Sequence, residues 1–346
     1  MKRAVVIGGG TAGLEFVRHA KDLPLEIILI EPKPILVCQA LLPEFISYKV
    51  SEEDLSVKIK PFCDEIGAEF VRDYALKVED GRVLTKKREI EYDFLIIATG
   101  AQPNTFENTF SIGTLEDAIK TRKALENADD VVVIGSGATG VEAACEVAEF
   151  YNANVKIVEY FDRILPAFKP DVSQFVEEIL RKDRIGMLTS CAVSKAEEGK
   201  IITNRGEVNC DLAIACAGLK PNGFNVDLLR VKGWIKVDEF LRAKENIFAI
   251  GDCALVNIDG KTATKTALEA EMQAKHVAEN IDRILKGKEL KKYKIRSSID
   301  GPVSFITLAK KRAVLVYRKH FLARPMSLLY LLKKQIVSIF LNKYKP

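Results

Sequence analysis

One local pattern occurs twice in this sequence, and it leaves such a chain few folds to choose from. Ala4-Val5-Val6-Ile7 is a short apolar run of the kind that parallel sheets bury, and Gly8-Gly9-Gly10-Thr11-Ala12-Gly13 follows it directly. The glycines fit G-x-G-x-x-G at Gly8, Gly10 and Gly13. The first permits a tight turn, the second lets a pyrophosphate approach the backbone, and the third lets the next helix pack closely on the sheet. A helix opening at Thr11 and Ala12 would point its unpaired N–H groups and positive dipole end at phosphate oxygens. Glu31 ends the apolar run Ile27-Ile28-Leu29-Ile30, 23 positions after Gly8, where a ribose-binding carboxylate belongs.

The pattern returns at Asp130. Val131-Val132-Val133-Ile134 leads into Gly135, Gly137 and Gly140, a helical stretch covers 141–151, and the strand Val155-Lys156-Ile157-Val158 ends in Glu159, 24 positions after Gly135. Strand, glycines, helix and acid recur in one order, so the expected fold is α/β with two Rossmann-like dinucleotide-binding domains. Three more apolar runs end in small residues: 92–97 before Ala98-Thr99-Gly100, 213–215 before Cys216-Ala217-Gly218, and 247–250 before Gly251-Asp252. A helix is expected over 264–285 and strands at 303–308 and 313–317.

A length of 346 residues suits two or three domains, and 48% apolar with 29% charged residues suits a soluble globular protein. The net charge of +4 conceals an asymmetry. Residues 286–346 hold 16 Lys plus Arg against Glu289 and Asp300, a net of +14, so the first 285 residues carry −10. A basic end of this kind suits an anionic surface. No apolar run reaches the 18–20 residues that would span a bilayer, and the chain opens on its first strand with no signal peptide expected. Seven scattered cysteines without a C-x-x-C pair and only three histidines argue against a zinc site, a thioredoxin-type dithiol or any other metal centre.

Residues 326–342 form the other informative stretch. On a helix, Leu328, Leu329, Leu332, Ile336, Ile339 and Phe340 fall in one apolar stripe, with Ser327, Lys334 and Ser338 opposite and Leu331, Val337 and Leu341 outside it. With Arg324, Lys333, Lys343 and Lys345 around it, this amphipathic helix suits a membrane interface; its alternatives are the protein's own core or a second copy of the chain in a homodimer.

Taken together, the two glycine units, Ala98-Thr99-Gly100 and Gly251-Asp252 resemble the two-dinucleotide-binding flavoprotein superfamily over nearly the whole chain. The resemblance implies FAD at Gly8, Gly10, Thr11, Ala12, Gly13, Glu31, Thr99, Gly100, Gly251 and Asp252. It implies NADH at Gly135, Gly137, Gly140, Glu142, Glu159 and Gly218. An FAD domain at 1–112 and 237–290 would enclose an NAD domain at 113–236, with a small C-terminal membrane or interface segment at 291–346. Glu159 favours NADH, since a carboxylate binds a ribose 2′-OH and repels a 2′-phosphate; Arg163, four residues on, is the group that would soften this preference.

Within the superfamily, the disulfide-reducing branch carries a cysteine that maps onto Ala40, two positions from Cys38, so the nucleophile is out of place. The branch that fits best is similar to type II NADH dehydrogenase. Leu41-Leu42-Pro43-Glu44 is similar to its segment beneath the flavin, and Gly140-Val141-Glu142 to its step beside the nicotinamide, where Glu142 is the candidate catalytic acid. The basic C-terminus is similar to its membrane anchor. This implies hydride transfer from NADH to FAD and two-electron delivery to a quinone, at the cytoplasmic face of the cell membrane, with the protein held peripherally. The segment Ala267-Leu268-Glu269-Ala270-Glu271-Met272-Gln273 departs from that branch's Ala-Gln-x-Ala-x-Gln-Gln, leaving Ala267, Leu268, Glu271 and Gln273 as the candidate acceptor site. The competing readings are a sulfide:quinone oxidoreductase and a soluble NADH oxidase or reductase of a disulfide or electron-carrier protein. No nucleic-acid-binding motif accompanies the basic end, so no nucleic-acid partner is expected.

Overall fold

In the computed structural model the described residues are 1–318, 320–322 and 326–345. Arg324, one of the charges flanking the last helix, lies outside them. Strand β1 (Lys2–Ile7) runs into helix α1 (Thr11–Ala20) and then strand β2 (Leu25–Ile30). β1 lies between β2 and strand β3 (Phe94–Ile97), parallel to both, with Val5 beside Ile28 and Leu95. A strand at Glu69–Val71 extends the sheet past β2; Ile247–Ala249 extends it past β3, with Arg242–Lys244 antiparallel at that edge. Covered on both faces, the inner strands need apolar side chains at successive positions, as Ala4 to Ile7 and Phe94 to Ile97 provide. Each valine, isoleucine, leucine or phenylalanine among them contributes roughly 1.5–3 kcal/mol on leaving water.

The second sheet is assembled wholly from the intervening stretch. Strand β4 (Asp130–Ile134), helix α2 (Ala138–Phe150) and strand β5 (Asn154–Val158) repeat the first unit. β4 pairs in parallel with β5 and with Leu212–Ala215, whose other neighbour, Phe110–Ser111, is the earliest strand of this sheet. The chain then returns to the first sheet at Arg242–Lys244, so the second unit is threaded into the first. Helix α3 (Ala267–Leu285), whose N-terminus is capped by the Thr266 side chain, packs along α1.

An antiparallel hairpin follows, β6 (Val303–Leu308) and β7 (Arg312–Tyr317), and the chain ends in helix α4 (Ser327–Asn342). β6 packs on α2 of the second unit, and α4 packs on β7. The hairpin turn is tied to the second unit by ion pairs from Lys310 (2.8 Å) and Arg312 to Asp183. Inward from α4 come Leu329, Tyr330, Lys333, Phe340 and Leu341; Leu328, Leu331, Leu332, Ile336 and Ile339 face out. The outward set covers an arc about 140° wide at 3.6 residues per turn. Leu329 and Phe340, part of the stripe expected from the sequence, thus belong to the core, and Leu331 joins the outer face. None of the helices, among the described residues, is long and apolar enough to cross a membrane.

Candidate functional site: two glycine cradles

Both glycine turns close in the same way. Gly8 has φ +110°, and a Cβ there would meet the Ala98 carbonyl oxygen at 2.3 Å; a Cβ on Gly13 would meet the Gly8 carbonyl oxygen at 1.9 Å. Gly135 and Gly140 repeat this against Cys216 and Gly135, at 2.4 and 2.1 Å. The middle glycines behave differently, since a Cβ on Gly10 or Gly137 meets nothing within 4 Å. Two glycines of each triad are therefore consumed by helix–strand contact, while the third keeps open the space that a phosphate needs. Gly100 and Gly218, at the ends of the neighbouring strands, have positive φ and the same open space.

The helix ends agree. At the N-termini of α1 and α2 the cap residues are Gly10 and Gly137, with no side chain accepting from the first-turn N–H groups. Elsewhere Thr114 and Thr266 cap their helices with a hydroxyl. N–H groups left unpaired at a glycine turn suit an anion, and Thr11 and Ala12 contribute the first two in the first unit. Thr99 Oγ1 is buried without a hydrogen-bond partner among the described residues, which leaves it available to a bound group. Gly251 sits so close to Ala12 that a Cβ would stand 2.9 Å from the Ala12 Cβ, bringing the Gly251–Asp252 turn against the first cradle. Burial pushes the Asp252 carboxyl up and the Lys265 ammonium down. Lys265 Nζ donates to the Asp252 carbonyl at 2.6 Å and the Ala254 carbonyl at 3.1 Å, and lies 3.8 Å over the Trp234 ring. The sequence reading missed Lys265 because only the folded turn brings these carbonyls to it.

Each unit holds its strand-end acid in place. Glu31 accepts the Gly9 N–H at 2.7 Å and the Lys33 N–H at 2.9 Å. Glu159, buried, accepts the N–H of Ser136 at 2.8 Å and of Phe161 at 2.9 Å, and the Ser136 hydroxyl as well. Arg163 makes no ion pair with this acid: its Nη2 donates to the Pro166 carbonyl at 3.1 Å and the Phe168 carbonyl at 3.4 Å, its Nη1 lies 3.4 Å from Asp162, and its Nε is buried without a partner among the described residues. Both cradles therefore fit a dinucleotide, with a carboxylate at the ribose end of each.

The remaining candidates lie in other surroundings. Glu142 is buried on α2, where it accepts the Thr307 N–H at 2.7 Å and the Lys333 Nζ at 2.8 Å. One turn on, Glu146 accepts the Ser47 hydroxyl at 2.5 Å and pairs with Lys49 at 2.8 Å; burial outweighs these partners and holds its carboxyl above the usual range. Glu44 is buried too, accepting Tyr330 at 2.9 Å and Lys334 at 3.0 Å on one oxygen, while its other oxygen has no partner among the described residues. Of the acceptor candidates, Gln273 is buried and accepts the Gly251 N–H at 2.8 Å, Glu271 pairs with Lys343 at 2.6 Å, and Ala267 and Leu268 are exposed at the start of α3. Gln273 thus reaches the turn of the first cradle. All seven cysteines are unpaired; Cys38 is buried, and burial pushes its thiol up to about 11.

A mitochondrial external alternative NAD(P)H-ubiquinone oxidoreductase, B2, from Arabidopsis thaliana is 27% identical over 74% of this chain, which spans about half of it, 55%. A type II NADH:quinone oxidoreductase from Haemophilus influenzae is 24% identical over 85% of this chain and 83% of its own length. Among solved structures, the sulfide:quinone oxidoreductase of Aquifex aeolicus shares the fold with a TM-score of 0.88, at 23% identity, over 99% of this chain and 91% of that one. The sequence model of one family matches residues 2–274, which take in both cradles and the start of α3, and the chain belongs to that family, the pyridine nucleotide-disulphide oxidoreductases.

Proposed function

We propose that this protein is an FAD-dependent NADH:quinone oxidoreductase that works at a membrane surface. The observation that carries the reading is the pair of cradles, each with an open middle glycine, an uncapped helix and a tethered carboxylate. In this reading residues 1–112 and 237–290 hold FAD, residues 113–236 hold NADH, and residues 291–346 make the surface contact. FAD supplies, when bound, two-electron chemistry between a hydride donor and an acceptor. The net reaction takes NADH, one proton and a quinone to NAD+ and a quinol. The chain's part is to bind and orient. The N-termini of α1 and α2 hold the two pyrophosphates, Glu31 and Glu159 hold ribose hydroxyls, and Thr99 and Asp252 line the first site.

The plant and bacterial relatives named above support a quinone as acceptor. Support for a membrane surface comes from α4, whose outward residues Leu328, Leu331 and Ile339 are 64%, 61% and 56% exposed in a segment of net positive charge. The placement at a membrane, with quinone approaching from the lipid side, rests on that helix, and the basic segment suits the anionic cytoplasmic leaflet. Sulfide oxidation, the activity named for the Aquifex protein, asks for accessible thiolates, and Cys38 is buried with its thiol raised.

Anaerobic stopped-flow tests the reading. The FAD-loaded protein is mixed with NADH and then with a soluble quinone. Rapid loss of flavin absorbance, restored rapidly by quinone and slowly by oxygen, is the expected result; no bleaching by NADH would refute the proposal.

A further inference from the structure

Glu15 and Glu142 occupy the same place in the two units, each two residues beyond the third glycine on the helix that opens the cradle. Both are buried, at 0% and 6% exposure. A carboxylate in that position needs charged partners, since an uncompensated buried charge is expensive. Glu15 is met from its own helix by Arg18 at 2.7 Å and His19 at 3.3 Å, which occupy one of its oxygens, and in both units a further partner comes from the last helix or the residues directly after it. Lys333 donates to Glu142 at 2.8 Å; ten residues on, Lys343 donates to Glu15 at 3.1 Å and the Tyr344 hydroxyl donates to it at 2.8 Å. Tyr344 is fully buried, edge-on to Phe62 and Phe340, so the end of the chain is seated in the first unit. Beside the first of these anchor points Tyr330 and Lys334 hold Glu44, on a short helix of the first unit, Leu42–Ile46, that packs against α2.

A helix rises about 1.5 Å per residue, so the two anchors stand roughly 15 Å apart on one rigid rod. The rod can satisfy both glutamates only when the two cradle helices lie at one particular separation and angle. From this we infer that Lys333, Lys343 and Tyr344 are positioning residues that couple the two nucleotide sites, α4 acting as a cross-brace between the helices that bind the two pyrophosphates. The inference rests on the two-nucleotide reading above and goes beyond it, because it makes a residue that touches only one unit matter to the ligand of the other.

The test reads each variant at the opposite site. Tyr344→Phe removes one hydroxyl from the first unit and should weaken NADH binding to the FAD-loaded protein by about 5-fold, measured as a dissociation constant by titration, while the flavin bleaching rate at saturating NADH changes less. Lys343→Met should act in the same direction and Lys343→Arg should restore the wild-type constant. Lys333→Met, at the second unit, should speed FAD loss on dilution by a similar factor. Thermal unfolding identifies any variant that fails to fold; if Lys333→Met does, Tyr344→Phe decides alone, its change being a single atom. NADH binding within 1.5-fold of wild type in folded Tyr344→Phe and Lys343→Met would overturn the brace. A wild-type protein that binds neither nucleotide would instead overturn the functional reading, so the two failures are distinct.

Discussion

The Glu159 carboxylate accepts the Ser136 backbone N–H at 2.8 Å, closing the second glycine turn onto the end of its neighbouring strand. A carboxylate held there can accept a ribose 2′-hydroxyl and repels a 2′-phosphate. Arg163, a nearby cation that could offset this, has its Nη2 on two backbone carbonyls and its Nη1 beside Asp162. NADH should therefore be preferred over NADPH by at least about 10-fold in kcat/KM, in line with roughly 1.5–3 kcal/mol for a charge-assisted hydrogen bond. Glu159→Ala should lower kcat/KM for NADH and narrow the ratio. Steady-state kinetics with both nucleotides checks this, and equal use by the wild type would contradict it.

The middle and last glycines of the second triad should respond differently to the same substitution. Gly137→Ala places a methyl group in open space, so the protein should fold and keep FAD while NADH binding falls by about 10-fold or more. Gly140→Ala drives a methyl group to 2.1 Å from the Gly135 carbonyl oxygen and should destabilise the unit outright, by roughly 2 kcal/mol or more. Thermal unfolding and NADH titration on the pair separate the two effects.

Cys38 should be inert. With its thiol pushed up to about 11 by burial, the thiolate fraction at neutral pH is very small. Alkylation by iodoacetamide at pH 7.5 should be slow in the folded protein and fast in denaturant, and Cys38→Ala should keep NADH-driven flavin bleaching within about 2-fold. Loss of bleaching in that variant would return a thiol to the mechanism.

Glu15 should make the seating of the chain end sensitive to acid. Burial alone would raise its carboxyl, but hydrogen bonds from His19, Arg18 and Tyr344, with the charge of Lys343, hold it well below the ordinary 4.5. A carboxyl depressed in the folded state contributes its full stability above the unfolded value and loses it as pH falls toward the folded one. Wild-type Tm should therefore drop more steeply below about pH 4.5 than that of Glu15→Gln. The variant should start lower at pH 7 and show a flatter acid limb. Parallel limbs in the two proteins would rule out this contribution.

The outward face of α4 is separable from its inward one. Leu331→Glu with Ile336→Glu changes two exposed side chains and should leave Tm within a degree or two while abolishing sedimentation with anionic phospholipid vesicles. Unchanged sedimentation of this double variant would move the surface contact elsewhere.

How much of this could be read from the residues alone differs from site to site. The two cradles were legible because their elements lie within about 25 residues of one another: strand, turn, helix and returning strand form a local unit, and Gly8, Gly13 and Glu31 are set by covalent spacing. The threading of the second unit into the first, seen in the return of Ile247–Ala249 to the first sheet, followed from the flavoprotein resemblance and not from any local spacing of residues. The direction in which the last helix faces was not legible. Periodicity marks an apolar stripe without saying what lies against it; here Leu329 turned inward to pack with Ala313, Phe305 and Leu315 and Phe340 to join the main core, while Lys333 and Tyr330 meet buried carboxylates and Leu331 faces out. Those partners are remote in sequence, Lys333 lying 191 residues from Glu142 and Tyr344 329 residues from Glu15. Arg163 likewise carries the charge expected of a phosphate ligand, and only the folded loop shows its Nη2 engaged by two carbonyls and its Nη1 beside Asp162. The sequence by itself determined the two nucleotide cradles, because backbone geometry over short spans follows from local residue types. The tertiary structure alone decided how they are joined, because a buried charge is settled by whichever partner the fold brings to it.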